Sequence, residues 1–147
     1  MEVTAAIRED IPALCELLGI LFAQESEFAP DLSLQAAGLR EIIESPERGR
    51  ILVLREGGVP RGMVNLLFTV STVLGGRVAI LEDMIVHPDH RGGGAGSRLL
   101  QAGIDFARSV GCRRISLLTD RTNDAAQRFY ARHGFAPSGM VTMRLHL

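Results

Sequence analysis

Residues 86–96 read VHPDHRGGGAG and place four glycines in the last five positions. The apolar run AILEDMIV precedes them, and SRLLQAGIDFARSVG, with helical periodicity, follows. Few local sequences constrain a chain so tightly, because ordering glycine costs more backbone entropy than ordering any other residue. The glycines therefore meet a need at a strand-to-helix turn. Amides at a helix start have no intrahelical partner and sit at the positive end of the helix dipole. A loop without side chains lets an anion approach them. The stretch predicts a phosphate cradle at Gly92, Gly93, Gly94 and Gly96, with Arg91 adding formal charge.

Two common phosphate-binding patterns do not fit. A P-loop closes on Lys-Ser or Lys-Thr, and GAGSRLL has neither. The dinucleotide fingerprint starting at Gly92 and Gly94 needs Gly or Ala at Ser97, and starting two residues later it meets Leu99. Only one strand–helix–strand crossover is predicted, where a dinucleotide fold has several.

The rest of the chain supplies the elements around this loop. VTAAIR predicts a strand, and Asp10 a helix cap before Ile11 and Pro12. Leu14, Leu17, Leu18, Leu21 and Phe22 then form a helical face. A second helix is expected over 34–44, then a hairpin through GGVP, and a turn at LGG into RVAILEDMIVHP. After the glycines, Leu99, Leu100, Gly103, Ile104, Ala107 and Val110 line one helix side, closed by a left-handed Gly111. RRISLLTD predicts a strand, NDAAQRFYARHG a helix ending at Gly134, and MVTMRLHL a last strand. The order β-α-α-β-β-β-α-β-α-β implies an α/β fold with a mixed sheet and helices on both faces, its crossover strands parallel.

Composition narrows the function. The 147 residues predict one domain, 1–147, with 46% hydrophobic and 22% charged residues. A net charge of −1 argues against nucleic-acid binding through bulk charge. Cys15 and Cys112 are too few and too far apart for a metal finger or redox pair, and no His, Cys or carboxylate spacing predicts a metal site. His87, His90, His133 and His146 are expected in solvated or capping roles. Acidic residues from Glu2 onward and the absence of a long apolar run make a cytoplasmic protein the expectation.

The spacing Arg-x-x-Gly-x-Gly, met by Arg91, Gly94 and Gly96, resembles the GNAT superfamily of acetyl-coenzyme A-dependent N-acetyltransferases. The resemblance extends over nearly the whole chain, through IREDIPALCELL, LEDMIVHPDHRGGGAGSRLL and NDAAQRFYARHGF in the family's order. It implies that amides of Gly92, Gly93, Gly94, Ala95, Gly96 and Ser97 hold the pyrophosphate of acetyl-CoA. It also implies that a bulge splays two central strands, so that pantetheine runs beside the backbone of Met84, Ile85 and Val86. Asn123 matches a position that contacts the pantetheine arm or steadies its turn, and Asn also suits a plain helix cap. The acceptor amine would lie between residues 24–31, made acidic by Glu25, Glu27 and Asp31, and residues 136–139. Family members often form homodimers.

Acetyl transfer to an amine needs a base for the ammonium, a donor for the developing oxyanion and an acid for the departing thiolate. By resemblance, the acid is Tyr130, the only tyrosine in the chain, and the oxyanion donor is the Ile85 amide. Glu82 matches a glutamate that the polyamine acetyltransferases of the superfamily use as base, and Asp83 is the other candidate base or amine anchor. Adjacent carboxylates inside an apolar strand are unusual, and salt-bridging is their structural alternative. The expected reaction is direct attack by a small-molecule or peptide amine in a ternary complex. The alternative is a non-catalytic acyl-CoA-binding module that keeps the loop and lacks the chemistry.

Overall fold

Turn and cap residues set the element limits in the computed structural model, which describes residues 1–25 and 29–147. Strands β1 (Glu2–Ala5), β2 (Gly49–Glu56), β3 (Val59–Ser71), β4 (Gly76–Val86) and β5 (Ile115–Leu117) form a sheet in sequence order. Helices α1 (Ile11–Gln24) and α2 (Leu32–Ile43) precede β2, while α3 (Ala95–Ser109) and α4 (Asp124–Arg132) flank β5. The first three pairings are antiparallel and β4–β5 is parallel, as the α3 crossover requires. Gly111 and Gly134 both take positive φ beyond their helices.

Period-two alternation gives the sheet two apolar faces. Ile51, Val53, Met63 and Ile85 pack with Leu14, Cys15, Leu17 and Leu18 of α1 and Leu39 of α2. Leu52, Leu54, Val64, Leu66, Ala79 and Leu81 pack on the other side, against Leu99 and Leu100 of α3. A Cβ on Gly103 would stand 3.5 Å from Val64, so this glycine lets α3 lie close to the sheet.

Two sequence expectations change. Asp10 precedes α1 without a side-chain cap bond. Its carboxylate instead accepts two hydrogen bonds from Arg55, at 2.8 and 2.7 Å, and one from the Ile7 N–H at 2.8 Å. A buried carboxylate gains more from a bidentate guanidinium than from a neutral amide. The expected last strand is also absent: residues 140–147 carry no ladder, and Met140, Val141, Met143 and Leu145 are exposed. Alternation alone makes no strand where no neighbouring edge pairs with it.

Candidate active site

The glycine loop has the conformation an anion cradle needs. Gly92, Gly93 and Gly94 have φ of 83°, 62° and 85°, a left-handed run that other L-residues rarely adopt. A Cβ at any of the three would meet nothing within 4 Å, so the requirement is for dihedral angles and open approach, not for packing space. Gly94 is the N-cap of α3 and brings no side-chain acceptor, so the first-turn amides have no capping side chain. Arg91 donates from Nε to the Val86 carbonyl at 2.9 Å, which pins its guanidinium beside the loop. A cavity of about 290 Å³ lies here, lined by His90, Gly92, Gly93, Gly94, Ala95 and Arg98 together with Met1. These features fit a diphosphate.

The strand leading into the loop is open on one side. β5 pairs with Ala79, Ile80 and Leu81 and then stops, so residues 82–86 keep β3 on one edge and, among the described residues, no strand on the other. The β3–β4 register steps from Leu66↔Leu81 to Asn65↔Asp83, which leaves Glu82 as the extra residue of a bulge.

This bulge reverses the phase of everything beyond it. Before it, Arg77 accepts from the Arg113 N–H and Ala79 donates to the Arg114 carbonyl, both at 2.9 Å, so these residues address β5. After it, the His87 N–H donates to the Arg61 carbonyl of β3 at 2.8 Å. In an antiparallel ladder bonded and non-bonded pairs alternate. Ile85 therefore addresses β3, and Met84 and Val86 turn their amides and carbonyls to the open edge. The Arg91 bond to the Val86 carbonyl agrees with this phase. The Ile85 amide, the expected oxyanion donor, is thus directed at β3, and the Met84 amide faces the opening.

Side chains change face by the same step. Leu81 belongs to the α3 side, whereas Ile85, two beyond Asp83, belongs to the α1 side. Asp83 thus shares the α1 face with Asn65 and Met63, while Glu82 is exposed. Asn65 donates from Nδ2 to Asp83 Oδ2 at 3.1 Å. Burial pushes the Asp83 carboxyl above its ordinary range, the Asn65 hydrogen bond opposes that, and the neighbouring Glu82 charge adds to it.

Tyr130 lies on α4 between two rings, edge-on to Phe129 at 5.3 Å and to Phe135 at 5.6 Å. Burial raises its phenol to about 12, so the proton stays in place at neutral pH. Asn123 caps α4, its side chain accepting from the Ala126 N–H at 3.1 Å. Sequence reasoning missed that α4 closes against the loop. Phe129 would lie 3.5 Å from a Cβ on Gly96, and His133 Nε2 is 3.1 Å from Ser97 Oγ. Thirty-six residues separate that pair, and no local pattern announces it.

The other singled-out groups have structural partners. His87 Nδ1 accepts from the Asp89 N–H at 3.2 Å, and His90 lies 3.3 Å from the Glu56 carboxylate. Asp31 caps α2 by accepting from the Ser33 and Leu34 amides. Glu27 lies outside the described residues.

Comparison with known proteins gives the family. Residues 13–135 match the model of the acetyltransferase (GNAT) family, and this chain belongs to that family. It is 37% identical over 118 residues to the uncharacterized N-acetyltransferase YhfO of Bacillus subtilis (strain 168), covering 78% of each chain. The integron cassette protein HFX_CASS3, from the mobile metagenome of Cole Harbour Salt Marsh, superposes with a TM-score of 0.85 at 28% identity, over 99% of this chain and 90% of that one. The aminoglycoside N-acetyltransferase AAC(6')-Iy, solved with CoA, shares the fold with a TM-score of 0.84 at 18% identity, over 99% and 93% of the chains.

Proposed function

We propose that this chain transfers the acetyl group of acetyl-CoA to a primary amine by direct attack. One observation carries the reading: a strand edge left unpaired beyond a bulge runs straight into a left-handed glycine turn at a helix start. Loop amides from Gly92 to Ser97, with Arg91, hold the diphosphate. The Met84 carbonyl and the Val86 amide face an extended amide-bearing arm, as a neighbouring strand would take them, and the Met84 amide is left for the acetyl carbonyl.

The chemistry then falls to a few groups. A carboxylate of the Glu82–Asp83 pair takes a proton from the acceptor ammonium, which is mostly charged at neutral pH. The free amine forms the C–N bond, and the Met84 amide stabilises the negative charge that develops on the carbonyl oxygen. As the C–S bond breaks, Tyr130 gives its proton to the sulfur and is reprotonated from the solvent, which also receives the second proton lost by nitrogen. The test is calorimetry with CoA followed by a panel of amines with acetyl-CoA, reading released thiol. CoA binding with amine-dependent thiol release is expected. Binding without turnover on any amine would leave the non-catalytic acyl-CoA-binding module, and no binding would end both readings.

A further inference from the structure

Asn65 stands in the middle of the apolar strand MVNLLF and is 3% exposed. Its Nδ2 reaches Asp83 Oδ2, and no described residue donates to its buried Oδ1. A buried amide that leaves one end unsatisfied is costly, and an apolar side chain there would avoid the cost. The side chain is thus kept for what its other end does. That end holds one oxygen of a carboxylate beside the point where β5 leaves β4.

We propose that Asn65 is a positioning residue, fixing the Asp83 carboxylate at the opening so that Asp83, and not Glu82, removes the proton from the acceptor ammonium. The inference rests on the acetyltransferase reading and divides labour within its acidic pair. In the step, one N–H bond of the ammonium breaks and its proton joins the Asp83 carboxylate, leaving a neutral amine with its lone pair free. Asn65 donates one hydrogen bond to the ionised form and so opposes the burial that favours the protonated one. Glu82, exposed at the bulge, has no such restraint.

Few charged groups face Asp83. Among the described residues, the charged group that acts on Asp83 is its neighbour on β4, Glu82. From the helices, α1 presents Leu14, Leu17, Leu18 and the Cys15 thiol, and α2 presents Leu39. The shift of Asp83 is therefore set mainly by burial and by Asn65, which makes Asn65 testable.

The experiment follows the Asp83 carboxyl carbon by NMR titration in ¹³C-aspartate-labelled protein, with Asp83→Asn to identify the signal. It is paired with pH profiles of kcat/KM on the best amine of the panel. In Asn65→Leu the Asp83 midpoint is expected to rise by about one pH unit, since the carboxylate loses a charge-assisted hydrogen bond. The acid limb of kcat/KM should move with it, lowering the rate about ten-fold below the limb, while Glu82→Gln, which removes a neighbouring negative charge, keeps the limb and shifts it with the Asp83 midpoint toward lower pH. Asn65→Ser, too short to reach Asp83, gives the same readout if Asn65→Leu does not fold. An Asp83 midpoint indifferent to Asn65, or an acid limb that moves apart from the Asp83 midpoint or disappears in Glu82→Gln, overturns the proposal. Absence of turnover with CoA still bound would instead retire the acetyltransferase reading and Asp83's role with it, a result the NMR coupling distinguishes from failure of the Asn65 contact.

Discussion

Tyr130 concentrates the consequences of burial at one residue. Removing its hydroxyl in Tyr130→Phe should lower kcat by about 10²–10⁴-fold, the usual worth of a positioned acid. CoA affinity measured by calorimetry should not change. The same phenol makes stability depend on alkaline pH. Its folded value of about 12 lies above the ordinary phenol value near 10, so its contribution is complete below about pH 10 and is lost as pH rises through about 12. The loss amounts to roughly 3 kcal/mol. Urea midpoints should fall across this window in the unmodified protein, and Tyr130→Phe should lack that part of the fall. Asn65 teaches the complementary lesson. Its partner Asp83 lies on another strand, which no local pattern in MVNLLF announces.

At the scale of elements, the glycine turn and the Asp10–Arg55 pair make separate demands. Gly93→Ala places a Cβ in open space but at φ 62°, so strain of about 1–2 kcal/mol and a displaced cradle are expected without a clash. The variant should fold, as judged by circular dichroism, and should bind CoA at least about ten-fold more weakly. Arg55 ties β2 to the start of α1 and to the Thr4 hydroxyl of β1, at 2.7 Å. The Arg55 hydrogen bonds hold the Asp10 carboxyl below its ordinary range. The stability this supplies is present above an unfolded carboxylate value near 4 and is lost as pH falls through the lowered one. Asp10→Ala leaves the largely buried guanidinium without its carboxylate partner and should cost about 3 kcal/mol in denaturant unfolding. The strand around Glu82 was legible only in part. Its apolar pattern announced a strand and its carboxylates announced a site, but one inserted residue changes which amide and which side chain face the opening.

For the whole molecule, a ligand that binds only the folded chain stabilises it by mass action. CoA at about 100 times its dissociation constant adds about 2.7 kcal/mol, which should raise the thermal midpoint by on the order of 5–10 °C. A nicotinamide dinucleotide at the same concentration should not do so, because the loop spacing fits no dinucleotide fingerprint. The sequence by itself determined the order of the elements through β5 and α4, the glycine turn at a helix start, and the family motif, because each depends on residues close together in the chain. Tertiary structure alone decided that Met84 instead of Ile85 faces the opening, that Asp83 lies on the α1 face against Asn65, that His133 meets Ser97, and that residues 140–147 join no strand. Each of these depends on which strand edge or helix face lies opposite, and pairing across a sheet is set by distant segments meeting in space.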